Sequence, residues 1–133
     1  MKAEDLSKAV SLAQKGYLLV ATADAEGLPH IAMARTAVQV GEDRLLITEW
    51  FCPGTISNVQ TNKRISIVAW DSREDHGLQL IGEVDRIEEL AIMNGYSPKL
   101  EWLDPVPQVE RQLQVRISKT YRFCAAPHSD IEE

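Results

Sequence analysis

The stretch Thr48-Glu49-Trp50-Phe51-Cys52-Pro53-Gly54-Thr55-Ile56-Ser57-Asn58-Val59 holds the residue types best suited to ligand chemistry. It reads as a strand end, a loop and the start of a helix running from Thr55 to about Asn62. A helix start exposes backbone N–H groups that no carbonyl within the helix can satisfy. Together with the helix dipole they attract an anion such as a phosphate. Gly54 lets a ligand approach the backbone closely, and Thr55 adds a hydroxyl that can also cap the helix. The same residues equally make an ordinary capped loop that binds nothing. Trp50 and Phe51 suit the walls of an aromatic ligand site, the anchor of a subunit interface, or both in one shared groove.

Other chemistry-bearing residues are scattered. His30, His76 and His128 are isolated and lack the Cys/His spacing of a zinc site. His30 reads as a structural histidine near a strand start. Cys52 has no neighbouring His or second Cys, so it reads as a small packed thiol. Arg35 alternates with apolar residues and is either a solvent-facing exterior residue or a ligand contact. No Gly-x-Ser-x-Gly, Walker or Rossmann pattern is present. No side chain stands out as a catalytic acid or base, and no metal site is expected.

These residues must be positioned by one domain spanning residues 1–133, whose 44% hydrophobic content suits a single core. The net charge of −6 disfavours nucleic acid and anionic membranes as partners. The longest apolar run, Tyr17 to Ala21, is far too short to span a membrane. Acidic residues near the N-terminus argue against a signal peptide, and Cys52 and Cys124 read as free thiols. A cytoplasmic protein is expected.

Leu6, Ala9, Val10 and Ala13 predict a helix over residues 3–15, with Gly16 ending it in a left-handed conformation. A strand follows from Tyr17 to Thr22, and Asp24 to Gly27 make a turn. Residues 28–40 alternate as one strand, with His30, Ala32, Ala34, Thr36, Val38 and Val40 on one face. Further strands are expected at Arg44 to Thr48, Ile65 to Trp70, Leu78 to about Ile87, and about Gln112 to Phe123. Glu88 to Asn94 read as a turn or two of helix, and residues 95–111 as an irregular excursion. Six strands with tight early turns and few helices predict a closed or partly closed antiparallel barrel.

The order of these features resembles the pyridoxamine 5'-phosphate oxidase-like flavoproteins. The carriers are the N-terminal helix, the strand ending in Val20-Ala21-Thr22, the turn Glu26-Gly27, and Pro29-His30. They are followed by Gly54-Thr55-Ile56-Ser57-Asn58, where the family has Lys-Thr-x-x-Asn at a helix start, and by Asn62-Lys63-Arg64-Ile65-Ser66-Ile67. Gln79-Leu80-Ile81-Gly82 then matches a later family strand. The resemblance covers about residues 3–90 and is greatest to small stand-alone FMN-binding members.

The resemblance implies a mostly β, six-stranded split barrel that forms a homodimer with FMN in a groove between subunits. It would place Met33, Ala34 and Arg35 beside the flavin, and Thr48, Glu49, Trp50 and Phe51 along its ring or ribityl chain. Thr55 would hold the phosphate, Asn58 would brace the loop, and Gln79 would come near the ring. The family's phosphate-binding Lys falls at Gly54, and a missing cation weakens a phosphate site. Arg35 or Lys63 is a potential replacement. The implied function is an FMN-binding redox protein acting on an unknown small-molecule substrate. Vitamin B6 oxidation is not expected, because the Arg- and His-bearing substrate segment of true pyridoxamine 5'-phosphate oxidases has no counterpart in this sequence. The alternative is a non-catalytic barrel without flavin, or one that takes haem or a deazaflavin.

Overall fold

The computed structural model describes residues 2–50, 53–95 and 106–131. Among these lie α1 (Ala3–Lys15), β1 (Tyr17–Ala23), β2 (Pro29–Met33), β3 (Thr36–Gln39), β4 (Arg44–Trp50), α2 (Pro53–Thr61), β5 (Arg64–Asp71), β6 (His76–Gly95) and β7 (Val106–Phe123). The strands form one antiparallel sheet in the order β2-β1-β5-β6-β7-β4-β3.

The two edges of that sheet, β2 and β3, are joined by only Ala34 and Arg35. The Ala34 amide donates to the Leu18 carbonyl in β1, at 2.8 Å. The next amide, Arg35, donates to the Thr48 carbonyl in β4, also at 2.8 Å. The chain thus changes strand partner between two successive residues, and the sheet closes into a split barrel. This explains seven strands where the sequence predicts six: the long second strand is bent and assigned as two.

The bend also inverts the faces. Along β2, Ile31 and Met33 point outward, being 68% and 54% exposed, while Ala32 is half-buried. Along β3 it is Ala37 that is buried and Val38 that is exposed. A continuous strand would have kept Ala32, Ala34, Thr36 and Val38 on one side. An irregularity at Ala34-Arg35 shifts the alternation by one residue, as a bulge does.

The barrel is filled by inward residues from every long strand. Val20, Leu45, Ile47, Ile67, Leu80, Leu113 and Val115 are fully buried. Helix α1 covers one opening with Leu6, Ala9 and Leu12, three residues apart and so on one face. Glu4 and Asp5 suit its positive end. Gly16 ends α1, but at φ −138° it is not left-handed. Its reason is space: a Cβ there would stand 2.1 Å from the Trp70 carbonyl oxygen. The turn after β1 follows the expected chemistry, with Asp24 accepting from the Glu26 and Leu28 amides and Gly27 at φ +88°.

The largest departure from the sequence reading lies in the last two strands. Glu88 to Asn94, expected as helix, continue β6, and residues 106–111, expected as irregular, belong to β7. The two strands pair from Gly77↔Phe123 to Gly95↔Val106. Strand β4 likewise runs two residues further, taking in Glu49 and Trp50. No described helix is long and apolar enough to cross a membrane.

The chain after β7 is tied back by one carboxylate. Asp75, at φ 52°, accepts from the Ala125 amide at 2.6 Å, the Ala126 amide at 2.9 Å and the Trp70 indole at 3.2 Å. The Ala125 amide first, then the Ala126 amide, hold this carboxyl below the ordinary 3.8, with Trp70 and His128 adding to the effect against desolvation. A depressed folded-state value stabilises above the ordinary value and is lost as pH falls through the folded one. The latch should therefore hold at neutral pH and release in acid below 3.8. Asp75→Asn should release it at neutral pH, moving the Ala125 and Ala126 amide resonances; unmoved resonances would contradict the latch.

Candidate functional site

Helix α2 closes part of the barrel and carries the residues singled out by the sequence. It begins at Pro53, which lacks an N–H and so suits a first helical position. Thr55 is therefore the third residue of the helix and not its cap, as the sequence suggested. Thr55, Ile56 and Val59 are buried, while Gly54 and Ser57 are exposed.

The Thr55 hydroxyl oxygen has no hydrogen-bond partner among the described residues, and the residue is 0% exposed. Leaving a buried hydroxyl unpaired costs about 1–3 kcal/mol. The first turn of α2 thus contains a donor that the described chain does not satisfy, next to free backbone N–H groups. This donor set fits a phosphate.

Two contacts fix where that turn lies. Asn58 donates through Nδ2 to the buried Thr22 hydroxyl at 3.0 Å, bracing α2 against β1. Thr22 is the register partner of His30 on β2. The His30 ring then lies against Gly54: a Cβ on Gly54 would stand 3.2 Å from Nε2 and 3.3 Å from Cε1. His30 and Thr22 were not picked out by the sequence as site residues. A hint was present in Pro29-His30, but its partner at Gly54 is set only by the fold. Asn58→Ala should leave the Thr22 hydroxyl without its donor, costing about 1–3 kcal/mol in urea unfolding; unchanged stability would contradict the brace.

The other expected site residues fall into separate places. Arg35 is exposed and, with Ala13, Gln14, Thr36, Ala37 and Val38, lines a cavity of about 460 Å³. Ala34 is half-buried against the core, and Thr48 is buried. Met33 and Gln79 share one row across the outer sheet face, Met33↔Leu19↔Val68↔Gln79. Three strand spacings put them about 14 Å apart. Gln79 donates to the Ser66 hydroxyl at 2.8 Å. Beside that row a shallow cavity of about 340 Å³ is lined by Ala21, Arg64, Ser66 and Ile81 among others. Backbone pairing sets Glu49 and Trp50 against Arg111 and Glu110 of β7. Phe51 and Cys52 lie outside the described residues. Lys63 is exposed just beyond α2. Among the described residues no group of His, Cys, Asp and Glu could hold a metal ion.

The fold as a whole is matched by known proteins. A family model described as pyridoxamine 5'-phosphate oxidase aligns with residues 7–122. The chain belongs to this family. Comparison with curated protein sequences gave no match. Among solved structures, an FMN-binding protein from Syntrophomonas wolfei superposes with a TM-score of 0.61 at 16% identity, over 95% of this chain and 89% of that one. A protein related to general stress protein 26, from Clostridium acetobutylicum, gives 0.61 at 14% identity, over 99% and 96%. HutZ, the haem storage protein of Vibrio cholerae, gives 0.52 at 15% identity, over 92% and 96%. At such identities the family member shares a fold with these proteins, and ligand choice must be argued from its own residues.

Proposed function

We propose that this protein binds FMN as a homodimer and works as a small cytoplasmic redox protein on a small-molecule substrate. The observation that carries the reading is the buried Thr55 hydroxyl in the first turn of α2, which has no partner among the described residues. Thr55 and the free amides of that turn would hold the flavin phosphate. Asn58, bonded to Thr22, keeps the turn in place. Met33, Ala34, Arg35 and Thr48 at the barrel closure would border the rest of the cofactor. Bound flavin would supply the capacity to accept hydride or electrons. The residues around it orient it and exclude water. No described side chain is assigned an acid or base role.

The outer face of β2 supports the dimer. Ile31 and Met33 are 68% and 54% exposed there, and Leu28, just before the strand, is 68% exposed; Leu19 and Ala21 of β1 and Ile81 of β6 lie in the same rows of the sheet. A second copy would cover this apolar surface.

Protein soaked with FMN and then desalted should retain flavin absorbance. Loss of all colour on desalting would contradict the reading. Neutral Gly54 at the phosphate end favours a second reading, a barrel of this family that has given up flavin or takes haem or a deazaflavin.

A further inference from the structure

We infer that His30 is the side-chain anchor for a phosphate monoester at the first turn of α2, and that it sets the preference for a phosphorylated ligand. The inference deepens the flavin reading above and rests on it for the ligand class. Three observations meet at one place. The imidazole of His30 stands over Gly54, its Nε2 3.2 Å and Cε1 3.3 Å from where a Cβ would project. Glycine at that position lets the ring lie directly against the start of the helix, at the edge of its first turn. The helix is nine residues long, so its first turn carries the N–H groups and dipole of a full helix. In that same turn the Thr55 hydroxyl is buried without a partner among the described residues.

The chemistry of these groups converges on one ligand type. Backbone N–H groups and a hydroxyl satisfy acceptor oxygens. The imidazole, lying against Gly54, offers a further side-chain N–H donor beside the turn. A phosphate monoester presents several anionic oxygens to such a set, whereas a hydroxyl-terminated ligand presents one weak acceptor. The position of His30 is fixed by neighbours. It lies in register with Thr22, whose hydroxyl takes the Asn58 bond from α2. The strand and the helix are therefore held in the relation that sets ring against turn. His30 is exposed, so replacing it removes no core contact.

The test compares wild type, His30→Ala and His30→Gln by fluorescence titration with FMN and with riboflavin. Wild type is also titrated with inorganic phosphate while its imidazole and amide resonances are followed. His30→Ala should weaken FMN binding about tenfold, the scale of one charge-assisted hydrogen bond, and leave riboflavin within about twofold. His30→Gln, which keeps a neutral donor, should fall between. Phosphate should move the resonances of His30, Gly54 and Thr55 and leave those of His76 and His128 in place. The inference is overturned if FMN and riboflavin weaken in parallel or neither changes, or if phosphate leaves His30 and Gly54 unmoved. Wild type that binds both flavins equally would remove the His30 anchor and keep the flavin reading. Phosphate shifts at His30 without binding of either flavin would do the reverse. No response to any of the three would end both.

Discussion

Gly82→Val should cost upwards of about 3 kcal/mol and lower the melting temperature by roughly 10 °C or more. Gly82 sits on β6 opposite Ile117 of β7, at a register shift between Ile81 and Gly82. On β7 the pairing skips Ser118, whose hydroxyl donates to the Ile81 carbonyl at 3.2 Å. The extra residue pushes the β7 backbone toward β6. A Cβ at Gly82 would stand 2.1 Å from the Arg116 carbonyl oxygen and 2.9 Å from its carbon. These are backbone atoms, so no rotamer change relieves the contact. The strands would have to part where Leu80, Val84, Val115 and Ile117 fill the barrel. Differential scanning calorimetry against Glu83→Gln, a neighbouring exposed position, checks the claim. A Gly82→Val protein as stable as that control would show that the two strands do not approach this closely.

Ile31→Asp should convert a dimer into a folded monomer. Wild type should sediment at micromolar concentration with about twice the 14.9 kDa chain mass. Ile31 is 68% exposed in the single chain, and its row crosses the sheet to Ala21, Ser66 and Ile81. In a two-fold pair the substitution would place a carboxylate from each copy in an apolar contact. An uncompensated buried charge costs roughly 3–5 kcal/mol, enough to weaken association at least a hundredfold. The single chain should keep its circular dichroism spectrum, because the side chain is mostly exposed in it and lies outside the core. A monomeric wild type, or a variant that still sediments as a dimer, would contradict this use of the β2 face.

What the sequence revealed and what it hid divide along local and non-local lines. The helical spacing of Leu6, Ala9, Val10 and Ala13, the apolar run from Tyr17 to Thr22 and the Asp24 to Gly27 turn are local patterns, and they place their elements correctly. The inversion of faces at Ala34-Arg35 was invisible. It arises because one stretch of chain leaves β1 and joins β4, and neither partner is encoded nearby. Glu88-Glu89-Leu90-Ala91 have good intrinsic helix propensity. Pairing with β7 overrides it, as sheet context commonly does. Pro105 and Pro107 made the start of β7 look irregular, yet Pro107 lies one pair from the strand end, where proline is tolerated. At the site, Gly54, Thr55 and Asn58 share one helix and could be read together. Their partners His30 and Thr22 come from β2 and β1, and only the closed barrel delivers them.

If the first turn of α2 seats a flavin phosphate, the phosphate must add to affinity. The most direct measurement is a fluorescence titration of the wild-type protein with FMN and, separately, with riboflavin. The two ligands share ring and ribityl chain and differ only at the phosphate. Hydrogen bonds to a charged group contribute about 1.5–3 kcal/mol each, so FMN should bind at least tenfold more tightly. Equal affinity for the two, or no binding of either, would contradict the phosphate seat at Gly54 and Thr55.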